Sequence, residues 1–420
     1  MSPRRAVLSR RVVLNAALLL LAAALAGCAG GPGRPGVAAG REVTSRAAPP
    51  GGYTPGERVA VLLPQTGRFA APAGAVRAGM LAAEQAQAPG KRPALRFFDS
   101  SDDQDATALV RQAAAEGARL VIGPLQKRAV DQLAAAASLP VPTLALNVTS
   151  GAPHPPTELF QFALSPEDEA VAVANQAWAK GYRRVLMLYP DGPWGGRLAR
   201  AFREQWGRLG GQIVDGEVYD PSSDSFAQPI QRLLSMDGAR QGQPLERPFI
   251  FLVATAPKAR KIWPQMQQAA GSYVPPVFCT SHIHSSQFDP QGVQELAGLY
   301  FVDIPWLIAP SPDEPVSRRD LERNSSQVQG DYSRLYAMGI DAYRLAPRLA
   351  YMASHPDASL KGETGTLRLN PLRRVRRQLP LARMTSSGPV LAGAQTRPDG
   401  VSSPNSSARA RAPHIAAAAP

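Results

Sequence analysis

From Arg58 onward, short runs of β-branched and other apolar residues alternate with alanine-rich stretches whose apolar positions recur at helical spacing. That alternation is the mark of βαβ units feeding a parallel sheet. The pattern predicts a strand at Val59–Pro64, a helix at Pro72–Ala88, a strand at Leu95–Asp99 and a helix at Asp105–Glu116. It continues with strand Leu120–Gly123, helix Leu125–Ala137 and strand Thr143–Asn147. After Leu159–Leu164 a second series begins: helix Pro166–Lys180, strand Arg184–Tyr189, helix Gly195–Leu209, strand Gln212–Tyr219 and helix Ser225–Leu234. Strand Phe249–Thr255 and helix Pro257–Ala270 complete it, followed by strands at Val277–Ser281 and Leu299–Ile304 and a long helix at Gln329–Met352. Two consecutive doubly wound α/β units, with later elements free to cross back, predict two lobes facing a cleft. The first covers about residues 58–150 and the second about 165–275.

The amino-terminal pattern is different. Arg4, Arg5, Arg10 and Arg11 precede an apolar run, Val12 to Ala26, that is too short for a permanent membrane span and has the plan of a secretory signal. It ends in Leu25-Ala26-Gly27-Cys28, the spacing at which a bacterial lipoprotein is cleaved and its cysteine acylated. Each buried CH₂ of an acyl chain contributes ~0.8 kcal/mol, so several chains anchor a protein firmly. Residues 1–27 therefore read as a lipoprotein signal peptide and Cys28 as the lipidation site. Ala29 after the cysteine fits export to the outer membrane, on its periplasmic face. Residues 28–57, rich in Gly, Pro and Ala, read as a flexible tether, and the Ser-, Pro- and Arg-rich 393–420 as a disordered tail.

Composition adds limits. Of 420 residues, 36 are Gly, 41 Pro and only 2 Cys, which excludes a disulfide scaffold and a cysteine-cluster metal module. With Cys28 acylated, Cys279 has no partner and is expected buried and inert. The net charge of +13 is concentrated at the ends: residues 1–27 carry +4 and residues 361–420 carry +8, which leaves +1 for the body between. A near-neutral body has no stripe for a phosphate backbone, so no nucleic-acid partner is expected.

Ligands of open α/β sheets bind beyond the carboxyl ends of the strands. The candidate cleft-lining residues are accordingly Gln65, Thr66, Gly67, Gly123, Pro124, Gln126, Asn147, Trp194, Gly195 and Ser281, all at such junctions. Turn chemistry alone accounts for the same residues equally well. The sequence has no G-x-S-x-G elbow, H-E-x-x-H helix or P-loop, and no catalytic residue, cofactor or metal is assigned. Asp99, Asp102, Asp103 and Asp105 lack the glycine and distal glutamate of a calcium loop and read as caps of the following helix. His282 and His284, with Cys279 nearby, are too few for a tetrahedral site and read as structural. Arg373-Arg374-Val375-Arg376-Arg377 is expected to return as an edge strand after Thr366–Leu369; its charges either block aggregation or attract an anionic surface.

Several segments carry a resemblance. Val59-Ala60-Val61-Leu62-Leu63-Pro64 with Thr66-Gly67, Val121-Ile122-Gly123-Pro124-Leu125, Trp194-Gly195, Thr280-Ser281-His282-Ile283-His284 and Asp303-Ile304-Pro305-Trp306-Leu307 occur in this order. Met338-Gly339-Ile340-Asp341-Ala342-Tyr343-Arg344-Leu345 is similar to a late helix and Gly362-Glu363-Thr364-Gly365-Thr366-Leu367 to a terminal strand. Together, over about residues 57–392, they resemble the LppC-type lipoproteins known as penicillin-binding protein activators, whose fold is that of the type I periplasmic binding proteins. The resemblance implies a non-enzymatic regulator that stimulates class A (bifunctional) penicillin-binding proteins in peptidoglycan synthesis, with peptidoglycan itself a further possible partner. Better-known members carry a helical-repeat domain before this one, and residues 29–57 show no helix-pair repeat of about 34 residues. The alternative from another class is a periplasmic receptor for an amino-acid-like ligand or a muropeptide. Against it, Pro124 removes an N–H donor and Leu125 offers no hydroxyl where amino-acid-binding relatives of this fold hold a carboxylate.

Overall fold

The computed structural model describes residues 51–393, apart from 102–103, 150, 152–153, 236–246, 272, 286–288, 311–315, 317, 319–329 and 331. The expected signal segment, Cys28, most of the tether and the carboxyl tail lie outside the described residues. Five parallel strands form the first lobe: β1 (Arg58–Leu63), β2 (Ala94–Asp99), β3 (Leu120–Ile122), β4 (Thr143–Ala145) and β5 (Leu159–Gln161), in the order β2-β1-β3-β4-β5. Its crossover helices are α1 (Ala70–Gln85), α2 (Ala106–Ala115) and α3 (Lys127–Ala135). Apart from its first residue β1 is buried throughout, as expected of a central strand covered on both faces. Asp105 caps α2, accepting hydrogen bonds from Thr107 N at 2.8 Å and Ala108 N at 3.2 Å. Asp99 instead ties turns together, and Asp102 and Asp103 lie outside the described residues.

The second lobe repeats the order. Strands β6 (Arg184–Pro190), β7 (Gln212–Tyr219), β8 (Phe249–Leu252), β9 (Val277–Cys279) and β10 (Tyr300–Val302) run parallel as β7-β6-β8-β9-β10. Helices α4 (Pro166–Ala179), α5 (Pro193–Arg208), α6 (Ala227–Ser235), α7 (Ala256–Ala270), α8 (Pro290–Glu295) and α9 (Pro305–Ile308) accompany them. Cys279 at the end of β9 is fully buried, and burial pushes its thiol up. Two strands that the hydropathy pattern does not assign, β14 (Leu381–Thr385) and β15 (Gly388–Leu391), extend this sheet antiparallel beyond β10.

The chain crosses between the lobes three times. The first crossing leads from β5 into α4. The second returns from β10 to α10 (Ser333–Leu345), which lies on α1 of the first lobe. The third runs from a small antiparallel sheet, β11 (Ser359–Gly362), β12 (Gly365–Leu369) and β13 (Val375–Gln378), into β14. The expected return of the arginine run beside Thr366–Leu369 is therefore present. The Gly362–Leu367 segment is not terminal, because three more strands follow it. The single helix expected at 329–352 is broken: α10 ends at Leu345, Ala346–Arg348 form a 3₁₀ turn, and α11 is Leu349–Ser354. Pro347 sits in that turn and lacks the N–H that a continuous helix requires. The packed chain also begins earlier than Arg58, within the segment expected as tether. Tyr53 is buried, donates its hydroxyl to Tyr343 O at 2.8 Å and stacks obliquely on the Tyr343 ring.

Two glycines set how close α10 lies to the first lobe. A Cβ on Gly79 of α1 would stand 2.0 Å from Tyr336 O, and one on Gly339 of α10 would stand 2.0 Å from Val76 O. The helices thus touch backbone to backbone, each through the other's glycine. The same α10 carries Arg334, whose guanidinium grips Asp303 at the end of β10 with Nε to Oδ1 at 3.0 Å and Nη2 to Oδ2 at 2.6 Å. Ile304 N donates to Asp303 Oδ1 at 2.7 Å and His284 Nδ1 lies 2.8 Å from Oδ2. Burial alone would raise the Asp303 carboxyl, but Arg334 and His284 outweigh it and hold it down at about 2. Further along α10, Asp341 is fully buried and accepts from Glu363 N at 2.8 Å, Thr364 N at 2.7 Å and Thr364 Oγ1 at 2.5 Å, which docks the β11–β12 turn.

Replacing Gly339 with Ala should lower stability by about 2 kcal/mol, since no side chain fits against the Val76 carbonyl. Gly74→Ala in α1, where a new Cβ meets nothing within 4 Å, should raise stability by ~0.5–1 kcal/mol through helix propensity. Urea unfolding of the two variants checks the opposite signs. The depressed Asp303 carboxyl stabilises the fold at pH values above its unfolded pKa of 3.8 and loses that contribution as pH falls through about 2. The loss amounts to about 2 kcal/mol. The stability gap between wild type and Asp303→Asn, measured by urea midpoint, should therefore narrow as the pH falls from about 5 to about 2.

Candidate functional site

Helix α4 opens at the first crossing with Pro166 followed by Glu167, Asp168 and Glu169, three acids where the helix dipole favours negative charge. Each reaches a different element. Glu167 accepts from Arg197 Nε on α5 at 2.8 Å and from Ser165 Oγ at 2.7 Å. Burial opposes ionisation of Glu167, yet the Ser165 hydroxyl and the Arg197 guanidinium hold its carboxyl below the ordinary range. Asp168 pairs with Arg376 of β13. Glu169 is buried and accepts from Ser281 N at 3.0 Å and Ser281 Oγ at 2.8 Å, with His282 Nδ1 3.5 Å away. Arg377 of β13 lies 4.0 Å from the other Glu169 oxygen and donates to Ser165 O at 3.3 Å. Arg376 and Arg377 of β13 thus tie the last crossing to α4.

The strand-end residues fall into separate groups. Gln65 N donates to Asp99 Oδ1 at 2.9 Å, and Thr66 Oγ1 to Ser101 Oγ at 2.9 Å, so this turn is closed on its neighbour after β2. Gly67 follows at φ 73° and starts a 3₁₀ turn. Gly123, at φ 107°, brings the chain so near β1 that a Cβ would stand 2.1 Å from Leu62 O; Pro124 follows through a cis peptide. Gln126 is buried beside Lys127. Asn147 Nδ2 donates to Leu125 O at 3.0 Å. In the second lobe Gly195 lets α5 approach β6, a Cβ there standing 2.0 Å from Pro190 O. Trp194 meets the His282 ring edge-on at 5.2 Å between centroids, beside the Ser281–Glu169 contact.

Between the lobes runs a groove of about 1070 Å³. Of the ten candidates it touches Asn147, flanked by Leu125, Lys127 and Val148; the other nine are not among its lining residues. Its remaining walls are the first turn of α4, the face of α5 that carries Arg197, Arg200, Glu204 and Arg208, Leu335 and Met338 of α10, and Arg374–Arg376 at β13. A smaller cavity of about 200 Å³ lies within the second lobe beside Arg260, His284 and Met384. Cys279, His282 and His284 do not converge: His282 faces Thr280 Oγ1 at 3.0 Å and His284 faces Asp303. Among the described residues no group of three His, Cys, Asp or Glu could hold a metal ion.

Sequence reasoning missed Glu169, Asp303, Arg334 and Arg200. The acid triplet after Ser165-Pro166 is a visible capping signal, but the partners of Asp168 and Glu169, Arg376 and Ser281, lie more than 100 residues along the chain. Arg200 is one of several arginines on an amphipathic helix and carries no local mark.

Residues 53–386 match the LppC lipoprotein family. Relatives named penicillin-binding protein activator LpoA include one from Serratia proteamaculans, 33% identical over 68% of this chain and 45% of its own length. Another, from Edwardsiella piscicida, is 33% identical over 70% of this chain and 45% of its own. The chain thus spans about half the length of these curated relatives. The carboxyl-terminal domain of LpoA from Haemophilus influenzae, described as a regulator of PBP1A, superposes with a TM-score of 0.66 at 22% identity, covering 80% of this chain and 99% of that one. A branched-chain amino acid ABC transporter structure from Chromobacterium violaceum matches with a TM-score of 0.61 at 29% identity, over 78% of this chain and all of the other. Both neighbours share the type I periplasmic binding-protein-like fold. Two lobes of identical strand order and a family match over most of the described residues lead to one conclusion: this chain belongs to the LppC lipoprotein family.

Proposed function

We propose that this chain is a lipid-anchored regulator that binds a class A, bifunctional penicillin-binding protein and favours its active state during peptidoglycan synthesis. Relatives 33% identical to it over the matched region are named penicillin-binding protein activators. The observation that carries the reading is the closure of the strand ends. Ser281 is committed to Glu169, Thr66 to Ser101 and Asn147 to the Leu125 carbonyl, while Pro124 has no N–H to offer. A receptor of this fold needs such groups free to meet a carboxylate. With them turned on one another, side chains away from the strand ends are left to act, and such contact regulates by binding one state of a partner more tightly than another.

The reading places the protein on the periplasmic face of the outer membrane, with residues 1–27 removed, Cys28 acylated and the following segment leading to the two-lobed domain at 58–392. No helix among the described residues is long and apolar enough to cross a membrane. Peptidoglycan remains a secondary partner within this proposal. The amino-acid or muropeptide receptor is the competing reading.

The purified protein, added to its class A synthase, is expected to co-purify with it and to raise the rate of glycan polymerisation or cross-linking. A specific thermal shift with an amino acid or muropeptide, without capture of the synthase, would favour the receptor instead. Cys28→Ala should remove the protein from the outer-membrane fraction, as read by immunoblot after fractionation. Retention of the variant in the outer membrane would remove the lipid anchor from the account.

A further inference from the structure

The groove between the lobes is unevenly charged. Its lining holds six cations, Lys127, Arg197, Arg200, Arg208, Arg374 and Arg376, against the acids Glu167, Asp168 and Glu204. Every acid already has an arginine of the same lining: Arg197 on Glu167, Arg376 on Asp168 and, at 3.8 Å, Arg208 on Glu204. The other three cations meet no carboxylate among the described residues. Lys127 donates only to Val148 O at 3.1 Å, and the side chains of Arg200 and Arg374 have no ion-pair or hydrogen-bond partner among the described residues. They stand on three elements around one space: α3 of the first lobe, α5 of the second, and the β12–β13 turn.

Between these cations the lining is apolar, with Leu164, Val171, Leu335 and Met338. An occupant therefore needs negative charge along its edges and apolar groups beneath. At about 1070 Å³ the groove lies at the upper end of the ~300–1,000 Å³ usual for small-molecule pockets, and its free cations stand on three separate elements, which favours a length of chain over a compact anion. The protein's own outlying segments have the wrong sign. Residues 29–50 carry Arg34, Arg41 and Arg46 against Glu42, and residues 394–420 carry Arg397, Arg409 and Arg411 against Asp399.

We propose that this groove receives an extended acidic segment of the penicillin-binding protein, its carboxylates meeting Lys127, Arg200 and Arg374 and its apolar side chains resting on the floor. The proposal rests on the activator reading above and adds the contact surface to it. Charges at the rim of such a contact act chiefly on the rate of encounter and on salt dependence.

The test uses the full-length protein, the immobilised synthase and two double variants of equal net charge. Arg200→Glu/Arg374→Glu alters the groove; Lys91→Glu/Arg111→Glu alters exposed positions outside it. Wild type and the outer variant should bind alike and weaken as salt rises from about 50 to about 300 mM, over which the screening length falls from about 14 to about 6 Å. The groove variant should bind about tenfold more weakly at low salt and lose most of that salt dependence. A nine-residue peptide repeating Glu-Glu-Leu should compete with the synthase on wild type and not on the groove variant. Equal binding by the groove and outer variants would overturn the groove while leaving the activator reading intact. Absence of synthase binding by wild type would overturn both. Binding of a soluble disaccharide-tetrapeptide that the groove variant loses would assign the groove to cell-wall fragments, and self-association that the groove variant loses would assign it to a second copy; either outcome overturns the proposal.

Discussion

A carboxylate taken out of water destabilises a fold by several kcal/mol unless its lone pairs are answered by charge or N–H donors. Three such carboxylates sit where the chain passes between the lobes, and each is answered by a segment distant in sequence. Glu169 on the first crossing takes Ser281 from the second lobe and faces Arg377 of the last crossing. Asp303 on the second crossing takes Arg334 from the helix that returns to the first lobe. Asp341 on that same helix takes the turn between β11 and β12, and burial pushes its carboxyl up in spite of the donors around it. Each of these contacts ties a crossing segment to another part of the fold, so the crossings are held in place by buried charge as well as by apolar packing.

The same contacts decide what is left for function. Binding proteins of this architecture grip a ligand with groups at the strand ends, and in this chain those groups hold the scaffold together. The charged side chains that remain free are displaced sideways, onto the wall between α4, α5 and β13. The proposed contact surface lies at the flank of the junction, away from the strand ends, and offers long arginine side chains in place of small donors.

Most of the strand and helix pattern was legible because apolar periodicity is a local property. Strands β1, β6 and β8 are runs of buried residues bounded by Gly or Pro, and the helices between them show their apolar face in the sequence. Strand β14 was not legible: it is short, contains Arg383, and is held by β10 more than 70 residues away. The break at Pro347 was marked locally and was overridden by the strong apolar periodicity on both sides of it. At the site, the positions of the turns could be read, since Gly and Pro announce them. What they bond to could not, because Ser281 and Glu169 stand 112 residues apart and nothing near either one names the other.

The antiparallel pairing of β14 with β10 has a consequence for biogenesis. The open edge of the second sheet at Tyr300–Val302 is covered only by residues 381–385, after the chain has gone back to the first lobe and returned. A polypeptide emerging amino end first therefore presents a bare strand edge until nearly its last folded segment is delivered. Exposed edges of that kind are templates for intermolecular pairing, so a chain that lacks Leu381–Thr385 would keep an adhesive flank at Tyr300–Val302.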